Sequence, residues 1–230
     1  MAAHLATRSG YDKGGTGPKG EAAMIIVHHL ENSRSQRVLW LLEELGLDHE
    51  IRRYARNPRT MLAPPELKRV HPLGKSPVIE DDGRVVAETG AIIEYLVDKA
   101  DGRLGPPSNR DAVLGYRHFL HYAEGSLMPP LFTKLVLGRV PLLGKTAQKK
   151  FQPMIDVHLD YCEAELAERP WFAGEDFTAA DVMMSFPLEA ARSRAGLDEL
   201  RPRLIDWLER IHARPAYGRA LTKGGPYAYA

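Results

Sequence analysis

Two short segments between Pro72 and Leu96 carry groups suited to holding a small peptide. Ser76-Pro77 stands at a turn-to-strand junction where a cis proline is expected. A cis bond is rarely populated except before proline, so it marks a position where backbone geometry matters. Glu88-Thr89 opens an amphipathic helix, and a helix start offers free N–H groups and partial positive charge to a carboxylate. A hairpin separates the two: strand Val78–Glu80, turn Asp81-Asp82-Gly83, strand Arg84–Ala87. It would hold the proline end and the helix start near one another. A third group, the Ser33 hydroxyl, sits between the first apolar run and the first helical pattern, with Asn32 and Ser35 beside it.

The elements that must position these residues follow from periodicity. Ile25-Ile26-Val27 reads as a brief buried strand. Ser33 to Leu47 reads as a helix, with Val38, Leu41, Leu42 and Leu45 on one stripe and Arg37, Glu43 and Glu44 off it. Gly46 suits its end. His49–Tyr54 reads as a strand, and the proline-rich stretch from Ala55 to His71 as loop with a short helix near Glu66–Val70. The hairpin and a helix over Thr89–Lys99 follow. Asp101 to Arg110, with two glycines and two prolines, is the best linker. Everything beyond reads as helix: Asp111 to Leu127, interrupted at Met128-Pro129-Pro130, then Thr146 to Ala167 after a loop at Gly138–Lys145, Asp181–Ala195, Leu204–Ala213 and a short piece near Tyr217–Leu221. Thr178 and Asp181 form a capping box, with Phe177 able to staple onto Val182. Its loss should cost on the order of 1 kcal/mol and touch no chemistry directly.

Composition bounds the partners. The chain has 230 residues, 44% of them hydrophobic, with 31 basic against 30 acidic side chains and a formal net charge of +1. That balance favours neither nucleic acid nor an anionic membrane surface. The single cysteine, Cys162, allows no intrachain disulfide and points to a reducing, cytoplasmic compartment. Residues 1–23 read as a disordered extension without the apolar core of a secretory signal, and Met24 is a candidate natural start.

The chain resembles a glutathione S-transferase from Met24 to about Leu221. The resemblance is carried by His28-His29-Leu30-Glu31-Asn32-Ser33-Arg34-Ser35-Gln36-Arg37, by Leu39-Trp40-Leu41-Leu42-Glu43-Glu44-Leu45, by Ala63-Pro64-Pro65-Glu66-Leu67-Lys68 and by His71-Pro72-Leu73-Gly74-Lys75-Ser76-Pro77. These look like the fungal and bacterial subgroup with a serine at the first helix. The order of the segments, with Glu88-Thr89 and the Thr178/Asp181 box in an all-helical second half, makes the match specific. It implies an α/β thioredoxin-like N-terminal domain over 24–101, a linker over 102–110, an all-α C-terminal domain over 111–230, and a homodimer.

The resemblance also implies roles. Ser33 would donate to the sulfur of glutathione, with Ser35 and Asn32 as alternatives. The main chain of Ser76, before Pro77, would pair with the cysteinyl part of glutathione like a short strand. Lys75 would neutralise the glycine carboxylate, Glu88 would meet the α-amino group, and Thr89 would take the α-carboxylate. The second substrate, a small hydrophobic electrophile, would sit between the domains against Tyr116, Phe119, Tyr122 and Ser126, roofed by the loop from Val136 to Lys145. Glutathione is then a co-substrate, and no metal is required. Two rival readings are a glutathione-dependent peroxidase or thiol oxidoreductase, which prefers a cysteine at the first helix, and a binding module without turnover. Other signals carry less. Gly74-Lys75-Ser76 is not a phosphate loop, because Arg69 stands where a glycine is needed. His28 and His29 alternate across a strand and cannot share a metal. Arg192 and Arg194 read as solvated charges, and Cys162 as a packed thiol.

Overall fold

The computed structural model describes residues 24–230, so the extension expected over 1–23 lies outside the described residues. Four strands form one sheet in the order β2-β1-β3-β4. β1 (Ile25–Leu30) pairs parallel with β2 (His49–Tyr54) and antiparallel with β3 (Val78–Asp81), which pairs antiparallel with β4 (Arg84–Ala87). The parallel pair needs a crossover, supplied by α1 (Ser35–Leu45). Gly46 ends that helix in the left-handed region at φ 63, and the Leu47 N–H returns to the Leu42 carbonyl at 3.0 Å. A short α2 (Leu67–Val70) precedes the hairpin, and α3 (Thr89–Lys99) follows it.

The rest of the chain is helical: α4 (Arg110–Tyr122), α5 (Met128–Leu137), α6 (Gly144–Glu168), α7 (Ala179–Arg194), α8 (Pro202–His212) and α9 (Pro215–Gly224). Asn109 caps α4, its side chain accepting from the N–H groups of Asp111 and Ala112. The expected break at Met128 takes a different form. A π-helical turn at Ala123–Leu127 joins α4 to α5, with the Met128 N–H reaching back to the Ala123 carbonyl. Pro129 and Pro130 lack N–H donors, and they fall in the first turn of α5, where none is needed. The wide turn thus lets the helix pass two prolines and shifts the face it presents beyond Leu120.

α1 departs from its amphipathic reading. It packs against the sheet on one side and against α7 and α9 on the other, so the residues off its apolar stripe are not solvated. Arg37 is 2% exposed. Glu44 receives a bidentate pair from Arg214 at 2.6 and 2.9 Å, and Glu43 receives Arg219 at 2.9 Å. Among the described residues, no helix is long and apolar enough to cross a membrane, and no group of three or more His, Cys, Asp or Glu is placed to hold a metal.

The capping box at α7 is present, and Asp181 does more than cap. It is fully buried, and it accepts from the Phe172 and Thr178 N–H groups at 3.0 Å each, from the Thr178 hydroxyl at 3.3 Å and from Trp207 Nε1 at 3.3 Å. The ring of Phe177 lies against Trp40 and Trp171. Asp181→Ala would strand several buried donors at once, so its expected cost rises from a simple cap to about 3 kcal/mol or more. Urea denaturation checks this, and a loss under about 1 kcal/mol would reduce Asp181 to an ordinary cap.

Candidate functional site

A cleft of about 1150 Å³ opens between the sheet and the helices. That exceeds the roughly 300–1,000 Å³ of a pocket for one small ligand, so it has room for two. Ser33, Lys75, Ser76, Pro77, Glu88 and Thr89 all line it.

Local geometry sets each of these residues. Asn32 takes φ 48, a left-handed conformation that Asn tolerates, and turns the chain from β1 into α1. Ser33 follows, 5% exposed. The Ser76-Pro77 bond is cis, and the Ser76 hydroxyl donates to the His28 carbonyl at 2.8 Å while accepting from the Leu30 N–H at 3.2 Å. The proline junction is thereby tied to β1, a few residues before Ser33. Glu88 holds φ 72, which is sterically costly for a residue with a Cβ and is a common mark of ligand sites. α3 starts directly after it. The first N–H groups of a helix have no partner within it, and here Thr89, Gly90 and Ala91 line the cleft. Lys75 stands exposed on the same rim.

Ser33 belongs to a buried hydrogen-bonded chain that the sequence did not signal. Its hydroxyl donates to the Leu30 carbonyl at 2.7 Å and lies 2.8 Å from the Ser35 hydroxyl. Ser35 is fully buried, off the cleft, and 2.8 Å from Nδ1 of His29. Burial, and then the charge of Arg53, push the His29 pKa down to about 4 despite a hydrogen bond to the backbone of Gly224. The ring is therefore neutral at pH 7. One proton bridges Nδ1 and the Ser35 hydroxyl, whichever ring tautomer is present. The Ser35 N–H donates to Ser33 Oγ at 3.3 Å. What remains to offer the cleft is the Ser33 proton, which a sulfur could take in place of the Leu30 carbonyl. Asn32 also lines the cleft, and its side-chain oxygen already accepts from the Ala228 N–H at 2.8 Å.

The opposite wall comes from the π turn and its neighbours: Leu120, His121, Glu124, Gly125 and Met128. Glu124 receives Arg34 Nε at 2.8 and 2.9 Å and also pairs with Arg37. Burial alone would raise its pKa, but Arg37 and Arg34 outweigh that and hold the carboxyl below its ordinary value. Tyr116, Phe119, Tyr122 and Ser126 do not line the cleft. Tyr116 and Phe119 are 3% and 1% exposed, Phe119 packs on Phe172, and the Tyr122 hydroxyl meets His158 Nδ1 at 2.6 Å. Their shared face turns into the helical core. Arg194, read as a solvated charge, lines the cleft instead and bonds the Tyr229 hydroxyl at 2.8 Å. Arg34, Glu124 and Tyr229 had no sequence signal, since only the chain's return from remote positions brings them here. Cys162 is buried, and burial pushes its thiol up to about 12, away from any nucleophilic role.

The chain is similar to several known proteins. The family profile described as the glutathione S-transferase N-terminal domain matches residues 33–99, and its C-terminal counterpart matches 147–210. Glutathione S-transferase 3 of Schizosaccharomyces pombe is 37% identical over 87% of this chain and 88% of its own length. The disulfide-bond oxidoreductase YfcG of Escherichia coli is 28% identical over 87% and 95%. A crystal structure of a glutathione S-transferase from Actinobacillus pleuropneumoniae superposes with a TM-score of 0.80 at 34% identity, covering 90% of this chain and 95% of that one.

The neutral His29 makes a testable pH term. Its folded pKa lies below the unfolded value, so the unfolded chain binds the extra proton first as pH falls. Stability should drop between about pH 6.5 and pH 4, by about 3 kcal/mol in total from this group. Urea midpoints across that range should fall more steeply for the wild type than for His29→Asn. Equal slopes would show that His29 is not held neutral.

Proposed function

The chain belongs to the glutathione S-transferase family and is a glutathione transferase; from that premise we propose that Ser33 stabilises the glutathione thiolate for attack on small hydrophobic electrophiles. The observation that carries this reading is the meeting of the Ser33 hydroxyl, the cis Ser76-Pro77 junction and the α3 start in one cleft. In the proposal, the Ser76 main chain pairs with the cysteinyl unit, Pro77 fixes that edge, and Lys75 faces the glycine carboxylate. Glu88 takes the α-amino group, and Thr89 with the α3 N–H groups takes the α-carboxylate. Residues 24–101 then form the glutathione-binding domain, 102–110 the linker and 111–230 the helical domain. A homodimer and a cytoplasmic setting belong to the same proposal, the second from a chain with a single cysteine.

The energetics are of the right size. A free thiol of this kind has a pKa near 8.5, so a thiolate dominant at neutral pH needs stabilisation of about 3 kcal/mol. A hydrogen bond to a charged acceptor contributes about 1.5–3 kcal/mol, and the start of α1 adds roughly 0.3–1 kcal/mol. The thiol proton leaves to solvent, sulfur bonds the electrophilic carbon, and the leaving group departs with its electron pair. The Escherichia coli relative favours a second reading, in which the same thiolate attacks a disulfide sulfur or a peroxide oxygen. Ser33 and the buried Cys162 offer the protein itself no thiol for that exchange.

Ser33→Ala should lower turnover with 1-chloro-2,4-dinitrobenzene about 100-fold while changing the glutathione dissociation constant by less than about threefold. An unchanged rate removes Ser33 from the role. Glu88→Gln should instead weaken glutathione binding by about 10- to 100-fold, read by calorimetry. Conjugation absent alongside reduction of a model disulfide would favour the oxidoreductase reading, and binding without either would leave a module with no turnover.

A further inference from the structure

The half of the cleft beyond Ser33 is walled by apolar side chains and carries an excess of guanidinium groups. Met128, Phe132, Leu135 and Phe186 give the apolar surface. Arg139, just past the end of α5, and Arg194, the last residue of α7, line the same space. Arg194 is held in place. Its Nη1 donates to the Tyr229 hydroxyl at 2.8 Å, its guanidinium carbon lies 5.0 Å from the centre of that ring, and its Nε is buried without a partner. Tyr229 is fixed in turn by the returning C-terminal tail. The Ala228 N–H bonds Asn32, and the Tyr227 hydroxyl bonds the buried Glu189. A third guanidinium, Arg56, reaches the carbonyls of Glu31, Asn32 and Met61 at 3.0–3.2 Å. Burial lowers its pKa, the pull of Tyr229 and Glu31 opposes this, and the charges of Arg34 and Arg139 lower it to a smaller extent. Arg34, Arg56, Arg139 and Arg194 all line the cleft.

The carboxylates on the cleft leave this excess uncompensated. Glu124 is taken by Arg34 and Arg37. Glu88 and Glu94 stand on or before α3, on the side given to glutathione. Among the described residues, neither Arg139 nor Arg194 has an acidic partner in ion-pair contact. Clustered cations in a cleft with low-dielectric walls raise the local concentration of anions and lose their mutual repulsion when one binds. Guanidinium forks also match a carboxylate in geometry.

We propose that the second substrate is an amphipathic anion, an electrophilic carbon on an apolar body that bears a carboxylate held by Arg139 and Arg194. The proposal rests on glutathione conjugation in the same cleft and narrows its second substrate. The apolar body lies against Phe132, Leu135 and Phe186, and the carboxylate faces the mouth, so the reactive carbon turns toward Ser33. Neutral electrophiles still enter but lack this anchor.

A matched pair of probes tests it: 4-chloro-3,5-dinitrobenzoate and its methyl ester. In each, sulfur bonds the ring carbon that carries chlorine, chloride leaves with the bonding pair, and the thiol proton goes to solvent. Rates are expressed as enhancement over the uncatalysed reaction, because the ester is intrinsically the more reactive. The wild type should favour the carboxylate by about tenfold or more in kcat/KM, and that preference should collapse in Arg139→Gln and Arg194→Gln, with Arg194→Lys recovering part of it. Glutathione KM is followed in every variant. Absence of a wild-type preference overturns the proposal, as does a preference that survives both glutamine variants. A rise in glutathione KM that tracks the loss would assign the arginines to the carboxylates of glutathione instead. Ser33-dependent turnover of the ester in any of these cases leaves the transferase reading standing, so the two ideas fail separately.

Discussion

Arg37 is the point at which the sheet and the helices are fastened together. It lies in the first turn of α1, 2% exposed, and its guanidinium reaches the Met183 carbonyl of α7 and the Glu124 carboxylate of the π turn. Burial, the largest influence, lowers its pKa, and Glu124 opposes that. A buried ion pair of this kind adds little net stability over an apolar substitute, yet losing one partner strands a charge in the interior at a cost of about 3–5 kcal/mol. Its value here is positional. Glu124 can satisfy Arg37 and Arg34 together only when the π turn sits directly across from the start of α1. That fixes the width of the cleft between Ser33 and the opposite wall.

The proposed chemistry depends on a second kind of order, inside the β1–α1 junction. Ser33, Ser35 and His29 each have a hydroxyl or ring group that could point several ways. The hydrogen bond between the ring and Ser35 holds that hydroxyl away from the cleft, and the Ser35 N–H donates to Ser33. The Ser33 proton, held by the Leu30 carbonyl, is the one beside the cleft. The arrangement connects α9, through Gly224, to the atom beside which a sulfur would sit.

What was legible in the sequence was local. β-branched runs gave the strands, Gly46 the end of α1, and Thr178 with Asp181 the start of α7. Ser76-Pro77 and Glu88-Thr89 could be read because a cis bond and a helix start are built by neighbours in the chain. What stayed hidden depends on remote partners. Arg37 fell off the apolar stripe, and the period of α1 says nothing about a second layer packed on its polar side. Tyr116, Phe119 and Tyr122 looked like cleft residues because helical spacing identifies a shared face but not its direction. The packing of α4 against α7 sets that direction, and no propensity rule supplies it. Arg194 was read as solvent-facing because Tyr229, which holds it in the cleft, lies on a tail that returns from the far end of the chain.

The same division explains why one substrate can be read from the sequence and the other cannot. In the proposed reading, the peptide side of the cleft works through main-chain groups, namely the junction at Ser76-Pro77 and the free N–H groups at the start of α3. Such groups exist only in a few backbone conformations, and those conformations require particular residues, so they leave motifs behind. The side proposed for the electrophile would work through side chains projected from α5, α7 and the tail, where any residue of suitable size can stand on a helix without disturbing it. Charge and shape there are set by Phe132, Arg139, Phe186, Arg194 and Tyr229 independently of the fold. The specificity of this half is therefore a property of positions rather than of motifs, and it becomes readable only once the five side chains are seen to face one space.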